Sequence, residues 1–149
     1  MIPGLHSDEA YMKEALKQAQ YAYEEGEVPV GAVVVCDNKI IARAYNQTER
    51  LQDVTAHAEM LAITSAANFL GAKYLTNCKL YVTMEPCVMC AGATFWAQVD
   101  EIIYGAHDPK RGYSTLQGQV LHPKANIKGG VMEKECSDLV TSFFAKLRD

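Results

Sequence analysis

The chain contains a single tryptophan and no run of about eighteen apolar residues of the kind that crosses a bilayer. Its first residues, Met1-Ile2-Pro3-Gly4-Leu5-His6-Ser7, lack the basic segment and apolar stretch of a secretion signal. These absences predict a soluble, cytoplasmic protein with no membrane partner. Cysteine is present but unpaired in number: the five are Cys36, Cys78, Cys87, Cys90 and Cys136. An odd set without a secretion signal argues against a disulfide framework and leaves metal binding or simple burial to explain them. An excess of positive charge is also missing, since the formal net charge is −4, which excludes broad nonspecific attraction to nucleic acid. The imbalance is local. Residues 1–106 carry seven basic and thirteen acidic side chains, whereas residues 107–149 carry seven and five, so only the C-terminal third is basic.

What is present suits one folded unit spanning residues 1–149. Hydrophobic residues make up 49% and charged residues 21%, and no repeat or low-complexity segment divides the chain. Ser7 followed by Asp8 and Glu9 forms a helix start, Met12, Leu16, Ala19 and Tyr23 recur at helical spacing, and Gly26 ends the pattern. The β-branched run from Val30 to Val35, the turn at Asp37-Asn38 and the alternation from Lys39 to Tyr45 predict an antiparallel hairpin. A helix is expected from Ala56 to Leu70, with Leu61, Ala62, Ser65 and Phe69 on one face and Gly71 as its stop. A buried strand follows from Lys79 to Thr83. The next helix is expected to begin at Pro86, with Cys87 to Ala97 continuing it, and a strand from Glu101 to Tyr104 comes after it. Between Gly105 and Gly130 the glycines and prolines predict loops and at most one short helix. A final helix from about Cys136 to Leu147 carries a stripe of Leu139, Val140, Phe143, Phe144 and Leu147. Strands separated by helices imply crossovers and parallel pairing, hence a mixed sheet with helices on both faces. Open sheets of this kind place their sites at strand ends.

Two short motifs carry chemistry. His57-Ala58-Glu59 opens one helix, and Pro86-Cys87-Val88-Met89-Cys90 opens another. Cysteines three apart share a helical face, and a helix N-terminus favours the thiolate that binds metal. With His57 as third ligand they form a nitrogen-and-two-sulfur set for zinc, leaving the fourth tetrahedral position to water. Zinc lowers the pKa of such a water towards ~7. Glu59 is the natural acceptor for the proton, provided His57 occupies the irregular first position of its helix. The alternative is a closed structural site completed by Cys36, Cys78, Cys136 or His107, in which case Glu59 is an ordinary solvated glutamate.

The signature H-x-E followed by P-C-x-x-C resembles the zinc nucleobase deaminases. Further segments extend the likeness: Glu27-Val28-Pro29-Val30-Gly31-Ala32-Val33, Thr55-Ala56-His57-Ala58-Glu59, Glu85 to Ala93, and Tyr104-Gly105-Ala106-His107-Asp108 look like the bacterial tRNA adenosine deaminase family, from about residue 8 to the end. The resemblance implies a cytidine deaminase-like α/β fold, three-layered α/β/α with a mixed central sheet of about five strands. It implies one Zn2+ per subunit, a homodimer, and a tRNA anticodon loop as substrate, with the wobble adenosine converted to inosine. Glu59 would then shuttle protons, the Ala58 N–H and Asn46 would hold the base, Val30 and Met84 would wall the pocket, and Asp108 would touch the RNA backbone or sugar. Each of these has a plainer reading: Asn46 and Asp108 as turn residues, Val30 and Met84 as core.

The chain departs from the family pattern at Val54, Met84, His107 and Tyr113, where proline, leucine, arginine and alanine are expected. Tyr113 could stack on a base, and Lys110, Arg111, Lys124 and Lys128 could meet phosphates or merely solvate the surface. Two other functions compete. Free guanine or cytosine deaminases share the zinc signature, and Phe69-Leu70-Gly71-Ala72 also resembles guanine deaminases. A zinc-stabilised RNA-binding protein without turnover is the third.

Overall fold

A computed structural model describes residues 4–148. Ser7 caps the first helix, α1 (Asp8–Glu24), by accepting from the Ala10 N–H at 3.1 Å. The hairpin follows as β1 (Gly31–Cys36) and β2 (Lys39–Tyr45). Its two-residue turn requires positive φ at both central positions, and Asp37 and Asn38 supply φ of 52° and 61°. A bulge between Val34 and Val35 shifts the register, so that Val34 faces Ala42 and Val35 faces Ile40. Then come α2 (Ala58–Leu70), β3 (Cys78–Met84), α3 (Val88–Ala97) and β4 (Glu101–Ala106). A 3-10 turn at Tyr113–Thr115, β5 (Asn126–Lys128) and α4 (Glu133–Arg148) complete the order.

The five strands form one mixed sheet in the order β2-β1-β3-β4-β5. β1 runs antiparallel to both its neighbours, while β3, β4 and β5 are mutually parallel. The crossover through α2 therefore does join parallel strands, β2 and β3, but β1 lies between them, so the expected parallel pairing begins only at β3 and β4.

Strand alternation sorts the core into two layers. Ala32, Val34, Leu80, Val82 and Ile102 face α2, while Val33, Val35, Tyr81 and Ile103 face α1 and α4. Each such side chain, fully removed from water, contributes roughly 1.5–3 kcal/mol before the entropy of ordering is subtracted. The three-layer α/β/α arrangement is thus the sandwich expected. Close approach on the α1 side depends on Gly31, where a Cβ would strike the Ala15 carbonyl and the Ala19 nitrogen.

Several local expectations need correction. The buried residues of α2 are Glu59 and a column of small ones, Ala58, Ala62 and Ala66, that lets the helix lie close on the sheet, and Phe69 points outward at 67% exposure. Pro86 lies outside α3, because Cys87 is the extended residue that caps it. β5 was not expected in the irregular segment. All three of its residues are exposed, so burial imposes no alternation to read. In α4 only Cys136 and Phe143 of the apolar positions are buried, and Leu147 stays exposed.

Candidate metal centre

The ends of the strands gather the residues singled out by sequence at one edge of the sheet. Val30 precedes β1, Asn46 follows β2, Met84 closes β3 and Asp108 follows β4. Since β1 runs opposite to β2 and β3, its start lies at the same edge as their ends. At this edge two helices begin, and neither begins on a serine, threonine or aspartate. His57 is the cap residue of α2, with φ −73° and ψ 152°, and Cys87 is that of α3, with φ −72° and ψ 175°. Neither side chain caps its own helix, so both are free to turn elsewhere.

They turn towards each other. His57 Nδ1 lies 3.6 Å from Cys87 Sγ and 3.5 Å from Cys90 Sγ. Tetrahedral zinc with sulfur at about 2.3 Å and nitrogen at 2.0–2.1 Å sets its nitrogen and sulfur ligands about 3.6 Å apart. Both nitrogen–sulfur distances therefore suit zinc, and all three donor atoms lie within 4.8 Å of one another. Among the described residues this is the one cluster of three or more His, Cys, Asp or Glu side chains within metal-binding reach of one another. Cys36, Cys78, Cys136 and His107 do not join it, so among the described residues no fourth side chain of these types closes the cluster.

Charge is already polarised at this cluster. Hydrogen bonding from Cys90, and then from His57, brings Cys87 down to about 4 despite its partial burial, while Cys90, bonded to that thiolate and deeply buried, is pushed far up. The bond to Cys87 raises His57 against the opposing effect of burial. Glu59, in the first turn of α2, is only 4% exposed, and burial pushes its carboxyl up to about 7 although its own backbone N–H and the neighbouring His57 oppose the shift. Position explains how His57 and Glu59 share one site. The cap residue has extended geometry, so the 200° separation that two helical residues would show does not apply.

The remaining sequence-selected residues are nearby but more conventionally engaged. Asn46 is buried, donating from Nδ2 to the Val28 carbonyl at 3.2 Å and accepting from the Thr48 N–H at 3.4 Å. Ala58 is buried at the first position of α2. Val30 and Met84 are half-buried, packed on opposite core layers. The Asp108 carboxylate accepts from the Lys110 and Arg111 N–H groups at 3.1 and 3.0 Å and so builds a turn. Beside His57 lies an open hollow of about 510 Å³, lined also by Thr48, Glu49, Gln52, Asp53 and Val54.

This geometry agrees with the comparison to known families. Residues 5–106 match the cytidine and deoxycytidylate deaminase zinc-binding region. The chain belongs to this family. Within it, the tRNA-specific adenosine deaminase of Bacillus subtilis (strain 168) is 48% identical over 146 residues, which cover 95% of this chain and 91% of that one. A solved structure described as a study of A-to-I editing by tRNA:A34 deaminases at the wobble position of transfer RNA is 41% identical, covers 87% of this chain and 98% of its own, and superposes with a TM-score of 0.81. The guanine deaminase of Bacillus subtilis is also 41% identical, but over 68% of this chain and 65% of its own, with a TM-score of 0.65.

Two features of this deaminase escaped the reading by sequence. Glu27 and Glu85 are buried carboxylates, 1% and 3% exposed, and each holds a loop beside the metal centre. Glu27 accepts from the Glu49 and Arg50 N–H groups at 3.0 and 2.8 Å, anchoring the loop that lines the hollow. Glu85 accepts from the Asp108 N–H at 3.1 Å, the Ser114 N–H at 3.0 Å and the Ser114 hydroxyl at 2.6 Å, and it pairs with His107 Nδ1. Burial works to raise the Glu85 carboxyl, but the bonds from Ser114 and Asp108 win and hold it below its usual value. Gly112 packs directly on this carboxylate, where any Cβ would collide. Both glutamates stand two residues before a recognisable proline or cysteine, yet their partners lie more than twenty residues away, so local spacing carries no signal of the role.

Proposed function

We propose that this chain is a zinc-dependent hydrolytic deaminase that converts adenosine to inosine at the wobble position of a tRNA anticodon loop. The convergence of His57, Cys87 and Cys90 beside a buried, proton-holding Glu59 carries the chemical half of that reading. The near full-length likeness to tRNA-specific adenosine deaminases supports the substrate half.

His57, Cys87 and Cys90 would hold one Zn2+ per subunit, which would supply a water activated for attack at neutral pH. Glu59 is the catalytic acid and base. Raised towards neutrality by burial, its carboxylate accepts a proton as the water oxygen adds to C6 of adenine, and delivers it to ring N1. Glu59 then takes the proton of the hydroxyl now on C6 and passes it to the amino group, so that the C6–N bond breaks, ammonia leaves and the C6–O bond becomes the carbonyl of inosine. The Ala58 N–H, unclaimed inside the first turn of α2, is a donor for the base. Asn46 reads the base edge with the amide hydrogen that Val28 does not use. Val30 and Met84 wall the pocket, and Asp108 meets RNA backbone or sugar while shaping its own turn.

A homodimer, in the cytoplasm where tRNA resides, completes the proposal. Val88 and Trp96 of α3 and Phe69 of α2 are 50%, 77% and 67% exposed, an apolar surface suited to a second copy. Light scattering at micromolar concentration should give twice the chain mass.

One experiment tests the function. The protein is incubated with an adenosine-bearing anticodon stem-loop, with guanine and with cytosine, and inosine and ammonia are measured. Inosine in the RNA is the expected product, and turnover of a free base without it would overturn the tRNA assignment. Glu59→Ala should keep zinc and fold while losing at least about 10²- to 10⁴-fold in rate.

A further inference from the structure

At the edge of the sheet opposite the metal centre, Cys36 closes β1 and Cys78 opens β3, and the two are direct cross-strand partners. Their pair type follows from the hairpin. Cys36 pairs with Lys39 across the two-residue turn, so its backbone N–H and C=O face β2. On the other side, the Cys78 N–H goes to the Leu75 carbonyl and its carbonyl accepts from Asp100, at 3.2 Å each. The Cys36–Cys78 couple is therefore a non-hydrogen-bonded antiparallel pair, the kind whose Cα atoms stand about 4.5 Å apart and whose side chains are closest. That separation lies inside the range a disulfide spans, about 4.4–6.8 Å. The pairing sets the two thiols side by side at the end of the strands. Neither belongs to the His57, Cys87 and Cys90 cluster.

We propose that Cys36 and Cys78 form a reversible dithiol–disulfide site, oxidised by peroxide-class two-electron oxidants independently of the zinc ligands. Cys36 is half-buried and reachable, whereas Cys78 is wholly buried, and burial together with the Cys36 contact pushes its thiol up to about 12. Oxidation thus begins at Cys36. Its sulfur attacks one peroxide oxygen, the O–O bond breaks, and the hydroxide released takes the thiol proton to leave as water, giving a sulfenic acid. Cys78 sulfur then attacks the Cys36 sulfur as its proton passes to the departing hydroxyl. The S–O bond breaks, the S–S bond forms, and a second water leaves. Two thiols have lost two electrons and peroxide has gained them. The bridge ties the tip of the β1–β2 hairpin to β3, at the far end of the sheet from the deamination chemistry.

The test treats the zinc-loaded protein with hydrogen peroxide and follows intact mass, a non-reducing peptide map and zinc content. The expected result is a net loss of two hydrogen atoms, a single linked peptide pair containing Cys36 and Cys78, retained zinc, and full reversal by dithiothreitol. Cys36→Ser should abolish the linkage. With Cys78→Ala, Cys36 should stop at the sulfenic acid and be labelled by dimedone, which keeps the test informative even if the serine variant folds poorly. A first linkage involving Cys87, Cys90 or Cys136, or Cys36 driven to sulfinic acid while Cys78 remains reduced, would overturn the proposal.

Discussion

Replacing Glu85 by glutamine exchanges one buried carboxylate oxygen for an NH2 group in a space already filled. Oε1 accepts from the Asp108 N–H and pairs with His107, and Oε2 accepts from the Ser114 N–H and hydroxyl. His107 and the Ser114 hydroxyl can reverse roles and accept from an amide, but a backbone N–H cannot. Whichever way the glutamine turns, one backbone donor meets another donor and loses its acceptor. An unsatisfied buried donor costs about 1–3 kcal/mol, and the surviving bonds lose the strengthening a charged acceptor gives. A local penalty of about 2–3 kcal/mol is expected, well below total stability of roughly 5–15 kcal/mol. The protein should therefore fold and keep zinc while the segment around residues 107–115 opens. If that segment must be ordered to receive RNA, the penalty reappears as a KM for the anticodon stem-loop raised by on the order of a hundredfold, with kcat at saturation little changed. Steady-state kinetics, limited trypsin cleavage at Lys110 and Arg111, and zinc content together check this. Unchanged KM with a reduced kcat would refute the positioning role, and loss of zinc would show that Glu85 supports the Cys87 segment instead.

Gly31→Ala should destabilise by about 3 kcal/mol in urea unfolding, because the added methyl meets backbone atoms of α1, which cannot swing aside as a side chain can. Cys87→Ser should lower bound zinc and the thermal midpoint together, read by metal analysis and calorimetry. For Asp8, burial acts to raise the carboxyl, but bonds from Lys128 at 2.9 Å and Tyr81 at 2.8 Å hold it below 3.8. A depressed acid gives stability that is present above its ordinary pKa and is lost as pH falls through the folded value. Asp8→Asn should therefore be less stable than the parent above about pH 4, with the two converging in more acidic solution, as followed by circular dichroism during acid titration.

Element identity was legible wherever one face of an element is buried. The continuous run in β1 and the helical recurrence in α1 reflect side chains that leave water on folding, and both elements occur where patterning placed them. Legibility failed where burial is absent or unusual. β5 is exposed throughout and is specified by its pairing with β4, a relationship that no local pattern encodes. In α2 the packed column is alanine, so the larger Phe69 misdirected the reading of its face. The cluster of His57, Cys87 and Cys90 was readable because metal chemistry demands particular atoms at fixed spacing. Glu27 and Glu85 were not, since a buried carboxylate looks in sequence like any surface acid until the loops that donate to it are brought alongside.

Both helices at the candidate metal centre start on a proposed ligand where a hydroxyl or carboxylate cap would ordinarily stand. With zinc held as proposed, their first turns, thirty residues apart along the chain, share a single external clasp. Helix order at these two ends then behaves as one variable: slow exchange of the Leu61 and Ala91 amides, which donate to the His57 and Cys87 carbonyls, should be lost at the same chelator concentration, and never in one helix alone. The deaminase pocket is accordingly assembled or dismantled as a unit, so partial loading of a population yields a mixture of complete and frayed molecules rather than uniformly weakened ones.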